Sequence, residues 1–486
     1  MATLPNGPAW PRRAQLFWWM FNPGSFLDRC HRQFGDTFTA RFGSYPPSVF
    51  VSHPEDIKRV FLASSDEVSA GEANTNLMGF LFGQSSVLSL DGKSHLRARR
   101  MVMPPFHSER LRTYYGSMRA RTDEAIRRWP VGRPFSMHEE MHRLTFDIIL
   151  GILFGPQERE FYEPFRSLVA ELVKQTESPL FHALFAMLPS EQLTAWLTRS
   201  PARVSLGPLG ERDITRILPG GAILRAKHGI DAMVYGEITR RRASPYRGDD
   251  VLSTFLDAKG EDGRGMSDAE LHDQLITLFI AGHDTTATAL SWAFYHLLKQ
   301  PGVLGKLRAE VNHVPADDEA WGHRICELPY LDAFIKETMR LTPVAPIIIR
   351  ILQQPLTIGK YEIPAGSYVT PCVYLTHRRP DVWPEPERFR PERFLGTKTN
   401  PYEFFPFGGG VRRCLGASFA LHEMKLLLAQ VISRTELRLE PGPDEPIARK
   451  GLFLAPGRGV SVIVDGRPKR RSAGGSGDQP GAAAGT

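Results

Sequence analysis

No run of this 486-residue chain stays apolar for the roughly 20 residues that a helix needs to span a bilayer. The longest early candidate, Leu16-Phe17-Trp18-Trp19-Met20-Phe21, is far too short. It follows a proline-rich start rather than a charged leader and is expected to pack against the body of the protein. Cysteine is scarce. Cys30, Cys326, Cys372 and Cys414 form no Cys-x-x-Cys pair and no disulfide-like framework, so a reducing compartment is expected, with the cytoplasm as location. Internal repeats are absent. The net charge of +7 raises nucleic-acid binding, yet no basic stretch is interleaved with aromatics. The one strong basic cluster, Arg467 to Arg471, merely opens a Gly/Ala/Ser tail. Nucleic acid is therefore not expected as a partner, and a basic surface that receives an acidic protein is the more useful reading.

What is present is enough for a large core: 42% hydrophobic and 23% charged residues, an ordinary globular balance. Residues 1–22 read as a Pro/aromatic segment, 23–466 as a single domain, and 467–486 as a disordered tail. Ser48-Val49-Phe50-Val51 reads as a strand and His53-Pro54-Glu55-Asp56 as a helix start. Residues 66–90 read as a long loop, 91–155 as mostly helical, and 200–222 as an irregular Pro/Gly segment. The clearest helix runs from about Asp268 to Gln300, opened by a Ser267/Glu270 capping box and stopped by Pro301-Gly302. Residues 355–375 read as short strands, and 378–407 as a proline-rich meander of the kind that usually carries a function.

Four groups of residues carry chemistry. The first is Phe407-Gly408-Gly409-Gly410-Val411-Arg412-Arg413-Cys414-Leu415-Gly416, followed at once by an amphipathic helix. A cysteine at a helix N-terminus beside arginines is favoured as thiolate, and such a thiolate in a glycine loop suits haem iron. A lone cysteine is more often a small buried hydrophobe. The second is Ala281-Gly282-His283-Asp284-Thr285-Thr286 inside the long helix. Glycine costs about 1 kcal/mol there, and the hydroxyls can bend the helix by bonding back to carbonyls. The segment is either a tolerated defect or a local opening that presents an acid and an alcohol for proton delivery. The third is Glu337-Thr338-Met339-Arg340 with Pro391-Glu392-Arg393-Phe394; taken alone, the Glu-Arg pair would be a solvated i, i+3 contact. The fourth is His95 and Arg99, one helical turn apart. A literal His-Glu-x-x-His, His138 to His142, suggests a zinc hydrolase, but no third ligand follows, and it reads as a coincidence on a surface face.

Along the chain they run His95/Arg99, Ala281 to Thr286, Glu337 to Arg340 with Pro391 to Phe394, then the cysteine loop, and in that order the four groups resemble the cytochrome P-450 family of haem-thiolate monooxygenases. The family loop F-G-x-G-x-R-x-C-x-G is filled by Phe407, Gly408, Gly410, Arg412, Cys414 and Gly416, and its A-G-x-[DE]-T-T by Ala281, Gly282, Asp284, Thr285 and Thr286. The resemblance implies a mainly α fold with a smaller β-rich part and haem b held between the long helix and the helix after Cys414. It implies Cys414 as axial iron ligand, and His95, Arg99, Arg350 and Arg412 as propionate partners. It implies Asp284 for proton relay, Thr285 for orienting activated dioxygen, and a structural Glu337, Arg340 and Arg393 triad under the haem. The implied reaction inserts one atom of dioxygen into a lipophilic substrate: a fatty acid, terpenoid, steroid or polyketide. The chain carries no flavin or iron–sulfur signature. A separate ferredoxin or flavodoxin with its NAD(P)H-dependent reductase is therefore expected, docking near Arg412, Arg413 and Lys425, on a monomeric enzyme without a transmembrane anchor. The alternatives of the same fold are a peroxide-driven peroxygenase or isomerase, and a non-catalytic haem-binding protein.

Overall fold

A computed structural model describes residues 4–155, 159–176, 203–205, 211–213, 221–245 and 248–467. Its axis is the helix Asp268–Lys299, which starts where the capping box places it. Glu270 N donates to Ser267 Oγ at 3.2 Å, and Ser267 N donates to Glu270 Oε2 at 2.8 Å. It ends at Gln300, and Pro301 opens the next helix. Apolar residues on several of its faces bury it among neighbours, chiefly the helices Met137–Phe154 and Ala417–Arg434. Leu144, Ile148, Leu290, Phe294, Phe419 and Leu427 belong to one continuous core. A helix that is apolar on several faces is stable only inside such a bundle.

The smaller β-rich part is built around one five-stranded sheet. Its order is Thr37–Ala40, Ser48–Val51, Tyr368–Pro371, Arg350–Leu352, Val68–Ser69. Only the Ser48–Val51 and Tyr368–Pro371 pair is parallel. Two antiparallel hairpins stand apart from this sheet: Leu356–Ile358 with Tyr361–Ile363, and Ile447–Lys450 with Phe453–Pro456. The first turns at Gly359, whose φ of 55° suits a residue without Cβ.

Two readings from sequence are corrected. Residues 66–90 are not one long loop, for Gly71–Phe82 is helical. Its glycines and asparagines hide it from propensity; tertiary contacts and the Asp91 carboxylate, which accepts from Gly71 N at 3.0 Å, hold its start. Within 200–222, Arg203–Ser205 and Glu211–Asp213 pair as strands, and most of the remainder lies outside the described residues, as do positions 468–486 of the tail. The early aromatic run forms the helix Arg12–Phe21. Trp19 packs among Phe26, Phe42 and Phe50, while Phe17 and Phe21 remain exposed. No described helix is long and apolar enough to cross a membrane.

The meander is tied to the helix Pro329–Leu341 by a buried carboxylate. Glu337 accepts from Arg340 Nε at 2.7 Å and Nη2 at 3.0 Å, from Arg393 Nε at 3.0 Å and from the backbone N–H of Arg390 at 2.7 Å. The side chains of Glu337 and Arg340 are 0% exposed. Arg340 also donates to His377 O at 2.8 Å, and His377 Nε2 accepts from Phe405 N at 3.0 Å. Breaking a buried ionic group by removing one partner typically costs about 3–5 kcal/mol. Glu337→Gln is expected to lower the urea midpoint accordingly and to speed cofactor loss. An unchanged midpoint would show that the charge is not what holds the meander.

Candidate active site

The cysteine loop closes on itself, Cys414 N donating to Phe407 O at 3.0 Å. Gly408 and Gly410 have φ of 68° and 63°, conformations that favour glycine. At Gly410 a Cβ would also stand 2.3 Å from the Phe61 carbonyl oxygen. Part of the loop's glycine requirement therefore comes from Phe61 behind it, and Gly408 is the one that faces the cavity in front.

That cavity measures about 540 Å³. Cys414 is exposed only in the sense that it opens onto this space. Burial raises its thiol above the ordinary value, and the Gly416 N–H, Arg99 and Arg413 pull it back down. The helix terminus and arginines thus act in the expected direction but are outweighed by burial, so the protein surroundings alone do not favour the thiolate. His95, Arg99, Arg350 and Arg412 line the same cavity, as do Ala281, Gly282, Thr285, Phe407 and Gly416.

The donor set fits a haem. Arg350 is 8% exposed, and its one described hydrogen bond runs to the neighbouring Ile349 carbonyl at 2.8 Å. A buried guanidinium with no carboxylate partner among the described residues calls for an anion such as a propionate. Arg99 donates to Arg413 O at 2.9 Å. Arg412 donates to Val87 O at 3.1 Å and also reaches Leu90 O and the Asp91 carboxylate. His95 differs from expectation: burial, with Arg412 and Arg99 nearby, pushes it down to about 4. At neutral pH it offers a neutral N–H rather than a cation. Asp91 was not recognised from sequence. It anchors Ser69, Gly71 and Arg412 together, and its place just before the helix Gly92–Val102 was the only available signal.

The acid–alcohol pair is split between two spaces. Thr285 lines the large cavity, its hydroxyl donating to Ala281 O at 2.6 Å. Asp284 does not; it lines a separate cavity of about 80 Å³. Successive helical side chains diverge by about 100°, which turns Asp284 away from the wall that Thr285 faces. The helix is not opened here either, because it continues unbroken through this segment. Thr145 Oγ1 donates to the His283 carbonyl at 3.0 Å, satisfying it from the neighbouring helix. Asp284 Oδ1 lies 3.3 Å from His142 Nε2, and burial raises its carboxyl to about 6 while Lys450 lowers it.

The His-Glu-x-x-His helix is thus not a surface coincidence. His138 is buried, with Nδ1 3.1 Å from Ser291 Oγ, and His142 meets the acid of the long helix. Glu139 is exposed on the other side. No group of three or more metal-ligating side chains is assembled among the described residues. The basic docking face is also revised. Arg412 is committed to Asp91, and Lys425 is buried on Cys326 O at 2.8 Å and Asp332 at 2.7 Å. Arg413 remains exposed, and so does Arg112, close to His422 on the helix after Cys414. Leu77, Met78, Phe82, Val344, Leu452 and Phe453 give the cavity an apolar wall, and Leu81 lines the smaller one.

The chain is similar to known proteins over nearly its whole length. The family profile described as Cytochrome P450 matches residues 5–200 and 222–464. Among similar proteins, cytochrome P450 135B1 of Mycobacterium tuberculosis is 34% identical over 95% of this chain and 91% of its own length. Cytochrome P450 137 of the same organism is 36% identical over 91% of this chain and 85% of its own length. Among solved structures, the cytochrome P450DA heme domain superposes with a TM-score of 0.80 at 22% identity, over 97% of this chain and 99% of that one. Retinoic acid-bound cyanobacterial CYP120A1 gives 0.78 at 24% identity, over 96% and 99%.

Because the Asp284 carboxyl is raised, its protonated form is the one the fold favours. Its contribution to stability is present below the ordinary carboxyl value and is lost as pH rises through about 6. Infrared spectroscopy of protein labelled with ¹³C-aspartate is expected to show a protonated carboxyl titrating near pH 6 and missing in Asp284→Asn. Lys450→Gln, which removes the cation that lowers the carboxyl, should move that titration upward. Titration near the ordinary aspartate value would overturn the burial argument.

Proposed function

The chain belongs to the cytochrome P450 family and is a haem monooxygenase; from that premise we propose that it oxidises a lipophilic small molecule with electrons brought by a separate ferredoxin or flavodoxin and its NAD(P)H-dependent reductase. The observation that carries this reading is the single cavity shared by Cys414, the arginines and an apolar wall. Haem b is the proposed form. Cys30, Cys326 and Cys372 are buried and none lines the cavity, so no second thiol stands ready to attach the macrocycle covalently. With the thiols unpaired among the described residues, the cytoplasm is the proposed location.

Once bound, a thiolate-ligated haem supplies electron donation that favours O–O cleavage. Cys414 would hold the iron, and Arg99, Arg350 and Arg412 the propionates, with His95 adding a neutral N–H. The Thr285 hydroxyl stands at the cavity wall, where it can orient a small polar molecule. Asp284, next to it in sequence and behind it in space, takes up and releases a proton at a carboxylate oxygen near pH 6, close enough to neutrality to pass protons on. His142 Nε2 stands 3.3 Å from that carboxylate. Leu77, Met78, Val344, Leu452 and Phe453 keep water from the substrate. The acid–alcohol pair favours the dioxygen-dependent reaction over a peroxide-driven one, which has no need of delivered protons. Exposed Arg413 and Arg112 are the docking cations for an acidic electron carrier.

Reduced protein exposed to carbon monoxide should show the strongly red-shifted Soret band of thiolate ligation, and Cys414→Ala should lose it; a histidine-type band in the parent protein would sink the assignment. Asp284→Asn is expected to slow turnover by about 10²-fold, and Thr285→Ala to divert reducing equivalents into peroxide, measured as product per NAD(P)H consumed. Electron transfer from the carrier should slow as salt rises above about 0.1 M, where exposed charges are screened. Rates indifferent to salt and to Arg413→Glu would remove the docking assignment.

A further inference from the structure

Arg449 is a second orphan cation on the wall of the large cavity. It lies on the strand Ile447–Lys450 at the tip of a hairpin, opposite Leu454. Side chains alternate along a strand. Lys450 accordingly acts electrostatically on His138, His142 and Asp284, while Arg449 lines the cavity. The guanidinium stands 5.3 Å from the centre of the Trp19 ring, and Nε donates to Gly451 O at 2.7 Å. Nη1 is occluded and has no hydrogen-bond partner among the described residues. No carboxylate pairs with the group there either. The nearby ionisable side chain is Tyr45, which also lines the cavity. Burial pushes Arg449 down to about 10, which still leaves it charged at any physiological pH.

A half-buried cation with one nitrogen occluded beside apolar walls, and with no anion, is costly. The same logic that assigns a propionate to Arg350 assigns an anion to Arg449, but from a different source. Trp19 and Tyr45 belong to the packing cluster of the N-terminal helix and first strands, whereas Phe419 and Leu415 beside Cys414 belong to the main core. The walls around Arg449 are apolar: Leu16, Met20, Phe42, Leu452 and Phe453.

We propose that Arg449 is the anion site of the substrate, which is a lipophilic carboxylic acid whose carboxylate pairs with the guanidinium beside Trp19 and Tyr45 while its apolar body fills the cavity toward Cys414. This rests on the monooxygenase reading for the placing of substrate beside haem, and it narrows that reading from lipophiles in general to acids. The guanidinium is a specificity-determining group and takes no part in the oxidation.

The test uses the haem-loaded protein at pH 8, with binding followed by calorimetry and by the Soret band in parallel. Decanoate is expected to bind about tenfold or more tighter than 1-decanol, the return for one charge-assisted pair. Decyltrimethylammonium should bind more weakly than the alcohol. Arg449→Gln should erase the preference for the acid while leaving the alcohol's affinity within about twofold, and Arg449→Lys should keep part of it. Haem content should be unchanged in both, which separates this site from the propionate partners. Equal affinities for acid and alcohol in the parent protein would overturn the proposal, as would a preference that survives Arg449→Gln. The ligand comparison needs no variant and so stands even if a substitution fails to fold. A preference for decanoate with an unmoved Soret band would uphold the anion site and overturn the placing of substrate beside haem.

Discussion

One buried carboxylate holds the haem-side architecture together. Glu337 sits with zero exposure and receives donors from Arg340, Arg393 and the Arg390 backbone. Arg340 passes the constraint on to the His377 carbonyl, and the His377 ring takes the Phe405 N–H two residues before the cysteine loop begins. A segment with almost no regular structure is thereby fixed. Ion pairs of this kind are poor sources of net stability, because desolvation consumes most of the attraction. What they give is a unique arrangement of an otherwise irregular chain. The position of Cys414 inherits that uniqueness.

The long helix plays the complementary part. Its apolar faces oblige it to run through the middle of the bundle, and its two adjacent polar residues consequently look into two different spaces. Thr285 belongs to the haem cavity. Asp284 belongs to a contact with the helix Met137–Phe154, where His142 meets it. Separation by one helical step keeps the carboxylate off the wall of the large cavity, though burial among Leu81, Ile276 and Phe279 still raises it. It also leaves proton storage next to the site without exposing the substrate to it.

Much of this was legible in the sequence where the determinant is local. The capping box, the helix boundaries at Ser267 and Pro301, the strand Ser48–Val51 and the cysteine loop all depend on residues a few positions apart. The resemblance named Cys414, Arg99, Arg350 and Arg412, and these four line one cavity. What the sequence did not disclose is set by contacts at long range. The helix Gly71–Phe82 is secured by Asp91, about twenty positions on. The burial of His138 and His142 is decided by a helix more than a hundred residues away, so a motif that reads as a surface accident turns inward. Lys425 looks like a docking cation until Asp332 and Cys326 are seen to enclose it. The neutrality of His95 is a consequence of burial, which no spacing reports.

The cations on the cavity wall bear on how a guest can lie. With His95 neutral, four guanidiniums besides Arg449 line the cavity, Arg99, Arg350, Arg412 and Arg413, and Asp91 pairs with one of them. The two carboxylates of a haem would take up part of the charge that is left. Arg449 has an occluded nitrogen with no partner among the described residues. A cavity that stays positive at one such point imposes an orientation on any molecule with one charged tip, so that cation decides which end of a guest is turned toward the thiol.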